Sequence, residues 1–346
     1  MIVAIAAALV PIPRAVVESV YSERMFPRLQ RLLTGLSNVF PFALLDVLLV
    51  AGGLAVVWMV VRDVRSLRAR PSFAVASGSV MRVLVLAAAA YLFFLLAWGF
   101  NYRRVPLEHK LQFDATRVSV QTAVLLARTA VERVNALHAA GHRRGWSATA
   151  TIDSGLADAF GKARQELGLR AGTRLGRPKR TLLDLYFRRV GVAGMTNPYF
   201  LETLVATDLL PFERPAVIAH EWSHLAGIAD EGDANFVAWL TCLRGTAAHQ
   251  YSGWLSLYGD VANALPRSVL GDVAAMLADG PRADLQAVRD RLLRQVNPTV
   301  SAAGWRVYDQ YLKANQVDEG TASYADVVRL VLGTAFADDW TPLLKR

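Results

Sequence analysis

The sequence predicts a mainly α-helical protein with a small antiparallel β-sheet, in which transmembrane helices precede a soluble domain. Two apolar stretches, at about residues 41–61 and 80–100, are each long enough to cross a bilayer. Most of the later chain has apolar residues at helical spacing, as in residues 116–138. Residues 182–207 instead combine alternating apolar positions with glycines and a proline, a pattern that favours short strands.

The distribution of charge divides the chain into a membrane region, 1–104, and a domain, 105–346. The net charge is +9, and most of the excess comes from arginines that flank the apolar stretches. The basic balance therefore indicates a lipid bilayer as partner and gives no reason to expect nucleic acid. Residues 62–82 hold five arginines and one aspartate. By the positive-inside rule this loop is cytoplasmic, so the domain is predicted to be extracytoplasmic.

The first forty residues leave two questions open. Residues 2–12 are apolar but too short for a full span, so they are either a clipped transmembrane helix or the core of a signal sequence. Residues 14–40 alternate arginines with apolar side chains, as an interfacial amphipathic helix or pair of helices would, although a plain loop is an equal alternative.

The remaining segments are assigned from periodicity and turn residues. The single cysteine, Cys242, excludes an intrachain disulfide and a cysteine-based zinc site, and its apolar surroundings predict a buried thiol. Residues 174–180 are basic, with glycine and proline, and are interpreted as a solvated connection. Further helices are predicted at about residues 153–167, 267–278, 282–295, 304–314 and 323–334.

The strongest chemical signal is the segment His220-Glu221-Trp222-Ser223-His224. On a helix, histidines four residues apart lie about 40° apart around the axis, so both imidazoles can reach one metal ion. This is the zinc motif HExxH, in which Glu221 can act as general base toward a metal-bound water. Pro215 fits the first turn of such a helix, and Gly227 fits a left-handed end.

A catalytic zinc ion usually takes three protein ligands, so a third ligand is expected nearby. Glu231 is the preferred candidate, because Asn235 lies four residues on and could hold its carboxylate in place. Asp230 is the rival, at a spacing that also occurs in zinc sites, but it can equally be the N-cap of that helix. His249 is interpreted as a surface or capping residue, and Tyr251 as a core tyrosine rather than an oxyanion donor.

The small sheet predicted within residues 182–207 lies just before the motif helix in sequence. In zinc peptidases, such a strand can bind an extended substrate backbone by strand addition. A sheet that merely covers the helix is equally consistent with the sequence.

Several segments together resemble the bacterial DUF3810 family of multi-pass membrane proteins, which is placed with zincin metallopeptidases. These segments are Val17-Glu18, Tyr21-Ser22, Pro41-Phe42, Trp98 to Arg103, Gly191 with Gly194 and Pro198, His220 to His224, Glu231 to Phe236, Tyr251-Ser252-Gly253, Tyr311-Leu312 and Ser323-Tyr324. The resemblance implies a zincin-like α+β domain with a gluzincin-like site, in which Glu231 is the third ligand. The chain departs from the family at Gly232, where the family is usually acidic.

These observations lead us to expect a membrane-anchored zinc metallopeptidase with one Zn²⁺ per chain, held by His220, His224 and Glu231. Its substrate would be a peptide or protein, and Glu221 would assist the attack of zinc-bound water on the peptide bond. We expect a multi-pass protein of the cell (inner) membrane, with the domain on the extracytoplasmic side. The alternative is an inactive zincin-fold protein that serves in binding or scaffolding. The oligomeric state is not predicted.

Overall fold

The computed structural model describes residues 10, 12–69, 72–143, 145–146, 150–169, 172–315 and 326–345. Most of the predicted apolar segment 2–12 therefore lies outside the described residues. The described chain is mainly helical and contains one two-stranded antiparallel sheet, which confirms the coarse fold class. The zincin-like character of the domain stays a prediction.

The elements follow one another in a simple order. Near the N-terminus, one α-helical turn, Arg14–Val16, continues into a wide π-type helix, Val17–Met25, which leads into the α-helix that begins at Phe26. The helices before the sheet are α1 (Phe26–Val39), α2 (Leu44–Ala69), α3 (Phe73–Ala97), α4 (Val120–Arg143), α5 (Ser154–Glu166) and α6 (Asp184–Val190). The strands are β1 (Gly194–Asn197) and β2 (Glu202–Val205). The later helices are α7 (Arg214–Leu225), α8 (Glu231–Leu243), α9 (Ala247–Ala264), α10 (Arg267–Ala275), α11 (Asp279–Gln295), α12 (Pro298–Ala314) and α13 (Asp326–Gly333).

Helices α2 and α3 are both long and apolar enough to cross a membrane, and most of their side chains are exposed. Both occur where apolar spans were predicted, but they are longer than expected. Helix α2 continues to Ala69, so much of the arginine-rich stretch 62–82 is helical rather than a loop. Arginine is a good helix former, and its charge on a long side chain does not interrupt the backbone. Helix α3 begins after Ser72, whose hydroxyl accepts the Ala74 N–H and caps it.

The segment 14–40 is helical, and its polar face packs against protein. The Thr34 hydroxyl donates to the Leu201 carbonyl at 2.8 Å, and Gln30 donates to the Arg174 carbonyl at 2.7 Å. Phe26 belongs to the same apolar core as the residues of the later domain. The described contacts thus cross the predicted boundary between residues 104 and 105, while the assignment of two domains stays a prediction.

A buried carboxylate joins the start of α2 to the sheet. Glu202 on β2 accepts hydrogen bonds from the backbone N–H groups of Leu44 and Leu45 at 2.8 and 2.9 Å, and from the Lys179 ammonium at 2.8 Å. Ser37 also donates to this carboxylate at 3.0 Å. Lys179 is buried, so the interpretation of residues 174–180 as a solvated connection is wrong. Gly176, Pro178 and Lys179 are buried in this segment, and the Lys179 ammonium neutralises the Glu202 carboxylate.

The sheet is shorter than the sequence pattern suggested. Strands β1 and β2 pair antiparallel, with Gly194 opposite Val205. The first part of the predicted strand region, however, forms α6, which ends at Gly191 with a left-handed φ of 87°. The apparent alternation there reflects a short helix that buries Phe187 and leaves Leu185 exposed. Alternation of Leu183, Leu185 and Phe187 is too short to distinguish a strand from a short helix.

Candidate metal centre

Helix α7 carries the motif and has the local structure that its sequence predicts. Pro215 lies in the first turn, where its missing N–H leaves no hydrogen bond unmade. Gly227 follows the helix with φ of 80°, a left-handed conformation that glycine adopts without strain. The imidazoles of His220 and His224 face the same way, and their Nε2 atoms are 3.0 Å apart.

The turn after α7 brings the start of α8 to the two imidazoles. The Asp230 carboxylate accepts the Asp233 N–H at 2.8 Å, so Asp230 is the N-cap of α8. Glu231 then occupies the first helical position and points inward. Its Oε2 lies 3.1 Å from His220 Nε2 and 3.5 Å from His224 Nε2. The structure therefore brings together His220, His224 and Glu231, and uses the rival Asp230 for capping.

These three side chains have the spacing that a tetrahedral metal ion requires. Ligand atoms at zinc bond lengths of about 2.1 Å stand about 3.4 Å apart, close to the three separations here. Glu231 Oε2 and His220 Nδ1 are buried without a hydrogen-bond partner, and a buried carboxylate oxygen between two imidazoles is a natural ligand for a cation. Two nitrogen donors and one carboxylate match a catalytic zinc site that keeps a position open.

Neighbouring groups fix the orientation of two of these side chains. His224 Nδ1 lies 2.7 Å from the Ile228 carbonyl, which accepts its proton and leaves Nε2 free as a ligand. The Tyr308 hydroxyl donates to Glu231 Oε1 at 2.5 Å, and so holds the carboxylate with Oε2 toward the imidazoles. The sequence analysis did not find Tyr308, because it lies on α12, far along the chain from the motif.

The charges of the centre are strongly coupled. Burial alone would raise the pKa of Glu231, but the facing imidazoles of His224 and His220 outweigh it and hold that pKa well below its usual range. Burial alone would lower the pKa of His224, but the Glu231 carboxylate outweighs it and raises the pKa to about 9. These shifts indicate a negative potential near Glu231, which favours positive charge among the three side chains.

Glu221 points to the strand side of the centre. It is buried, and its Oε2 accepts a hydrogen bond from the Thr196 hydroxyl at 2.8 Å. Burial raises the pKa of Glu221, although the charges of His220 and His224 and the Thr196 hydrogen bond act in the opposite direction. A Cβ at Gly194 would lie 2.6 Å from Glu221 Oε1, so a side chain at this position would displace the Glu221 carboxylate.

The other candidate residues lie away from this centre. His249 caps the start of α9 by accepting the Thr246 N–H through Nδ1 at 3.2 Å, in agreement with the capping interpretation. Tyr251 is buried and donates to Asp284 at 2.5 Å, in agreement with a core role. Asp284 also contacts His142 and His138, in a cluster that the sequence pattern did not indicate because His138 and His142 lack the glutamate of the motif.

The three side chains line a cavity of about 730 Å³. One wall is α12, which contributes Tyr308 and Tyr311, and another is the last part of α3, including Tyr91 and Phe94. Strand β1 contributes a third side through Met195. The same cavity is thus lined by β1, by Glu221 and by the three clustered side chains.

The fold and site define a helical protein with two apolar helices and a His₂Glu group of the kind that holds a metal ion. The chain belongs to the DUF3810 family, described as proteins of unknown function, whose model matches residues 21–332. No curated protein and no solved structure gives a significant match to the chain.

Proposed function

We propose that the protein is a membrane-anchored zinc metallopeptidase. The observation that carries this proposal is the convergence of His220 and His224 on α7 with Glu231 on α8, with Glu221 next to His220 on α7. A zinc ion held there would supply Lewis-acid polarisation of the scissile carbonyl and would activate water. Glu221 favours an enzyme over the alternative of an inactive scaffold, because its burial and its hydrogen bond from Thr196 suit a group that transfers protons.

Glu221 is the general base and then the general acid of the proposed reaction. It takes the proton of the attacking water and passes it to the leaving amine as the C–N bond breaks. Its raised pKa brings the carboxyl closer to the pH at which it must both accept and give a proton. Thr196 holds one carboxylate oxygen at 2.8 Å, which fixes the other in the cavity.

The free edge of β1 suits an extended peptide. Within the described residues β1 pairs only with β2, and the Ala206 N–H donates to the Ala193 carbonyl at 2.9 Å. The alternation of antiparallel hydrogen bonds then turns the backbone groups of Gly194 and Thr196 away from β2. A peptide that adds to this edge would place its backbone beside Glu221.

The two apolar helices support a place in the cell (inner) membrane, and the arginines near their shared turn support an extracytoplasmic site. Cysteine accessibility on either side of the membrane tests this topology. The activity is tested by hydrolysis of a peptide library by the purified full chain and by its Glu221→Gln variant. We expect hydrolysis only with the wild type and equal zinc content in both. Equal hydrolysis by the Gln variant would reject the role of Glu221.

A further inference from the structure

The cavity does not end at the clustered ligands but continues along α3, one of the two apolar helices. We infer that the substrate is a polypeptide with an apolar segment next to the hydrolysed bond, and that this segment reaches the site from the bilayer along α3. The inference rests on the proposed function and specifies the substrate class of the same site.

The first support is the position of the lining residues on α3. Ala87, Ala90, Tyr91 and Phe94 all line the cavity, and their spacing places them on one face of the helix. From Ala87 to the end of the helix near Trp98 the rise is about 16 Å. The cavity therefore follows about three turns of a helix that is apolar enough to span a membrane.

The second support is the separation of polar and apolar ends. The acidic and imidazole groups that line the cavity are those of the metal centre, and the described lining residues include no lysine or arginine. Away from the centre most of the lining side chains are aromatic or aliphatic, among them Trp305 and Val307 on α12. A charged segment that entered this part of the cavity would lose its hydration without gaining a charged partner, which is unfavourable. An apolar segment would be stabilised there by leaving water.

The third support is a direct connection between α3 and the strand that would bind a peptide. Phe93 stacks on Tyr199, in the turn between β1 and β2, with ring centroids 6.1 Å apart and parallel planes. Tyr199 and Pro198 both line the cavity. Phe93 thus links α3 to the hairpin whose strand β1 lies beside Glu221. The free edge of β1 favours a polypeptide over a lipid amide, which has no extended backbone to pair with it.

Binding to the full chain in phosphatidylcholine vesicles tests the inference. The Glu221→Gln variant prevents turnover, and two fluorescent peptides are compared: one with a leucine- and alanine-rich tail and one with a serine- and glycine-rich tail. We expect the apolar tail to bind at least about tenfold more tightly, after subtraction of binding to protein-free vesicles. Adding Ala90→Trp, which fills the cavity, should remove that advantage.

Ala89→Trp is the matched control, because Ala89 is exposed on α3 and does not line the cavity. It should leave both affinities unchanged. Equal affinities for the two peptides, or equal losses with Ala89→Trp and Ala90→Trp, would overturn the inference. Weak binding of both peptides, together with tight binding of an N-acyl amide supplied in the vesicles, would also overturn the inference.

Zinc content and wild-type hydrolysis of both peptides, measured in parallel, separate this inference from the proposed function. Zinc and hydrolysis without preference for the apolar tail would defeat the inference alone. Preference for the tail without zinc or hydrolysis would defeat the proposed function alone.

Discussion

The hydrogen bond from Tyr308 to Glu231 provides a quantitative test of the metal centre. Replacing Tyr308 with phenylalanine removes one hydroxyl and keeps the ring, which stacks on Tyr311 at a centroid distance of 5.8 Å. The lost bond is short, at 2.5 Å, and its acceptor is a buried carboxylate. Hydrogen bonds to charged groups contribute about 1.5–3 kcal/mol.

If that bond holds Glu231 in its ligating orientation, its loss should appear in the metal affinity. At 1.4 kcal/mol for each tenfold change, the expected weakening of zinc binding is about 10- to 100-fold. Competition with a chromophoric chelator measures this affinity on the purified chain. The expected stoichiometry is unchanged, because all three ligands remain.

Tyr311→Phe is the matched control on the same helix. Its hydroxyl makes a long contact of 3.5 Å with Tyr102, and the carboxylate keeps its hydrogen bond from Tyr308. We expect little change in zinc affinity for this variant. Equal affinities for wild type and Tyr308→Phe would refute the reasoning, as would equal weakening in both variants.

Three further results are expected. Gly194→Ala should lower hydrolysis more than about tenfold with zinc retained, because the new Cβ would lie 2.6 Å from Glu221 Oε1 and displace this carboxylate. Gly161→Ala is the control, because a Cβ at Gly161 would have no neighbouring atom within 4 Å, and it should leave peptide hydrolysis unchanged. Lys179→Met should lower the free energy of unfolding by about 3 kcal/mol, because Glu202 keeps its other hydrogen-bond donors but loses its counter-charge. Denaturant titrations measure this change, and an unchanged denaturation midpoint would contradict it. Although burial raises the pKa of Glu202, Lys179 and two backbone N–H groups hold it below the usual 4.5, so its contribution to stability is present above about pH 4.5 and lost as the pH falls further. Melting temperatures across this range should therefore fall less steeply for Glu202→Gln than for the wild type.

The sequence was most informative where local rules determine the structure. The positions of Pro215 and Gly227 predicted both ends of α7. The four-residue spacing of His220 and His224 predicted that both imidazoles lie on the same side of that helix. The interpretation of Asp230 as a possible N-cap also followed from a local rule, and with Asp230 as the cap of α8, Glu231 in the next position faces the two imidazoles. The role of these side chains as metal ligands stays a prediction.

The sequence was least informative where distant segments meet. Tyr308 reaches Glu231 from a helix 77 residues away, and its spacing on α12 gives no sign of that contact. Lys179 lies in a stretch with the composition of a surface loop, and only its pairing with Glu202 explains its burial. Periodicity reports which face of an element is apolar, and it does not report which other element covers that face.

Metal analysis of the purified full chain tests the central claim most directly. We expect about one zinc per chain in the wild type, its loss in His220→Ala and its retention in His138→Ala, which alters the other histidine cluster. Zinc that survives His220→Ala, or that disappears with His138→Ala instead, would contradict the assignment of His220, His224 and Glu231 as the metal ligands.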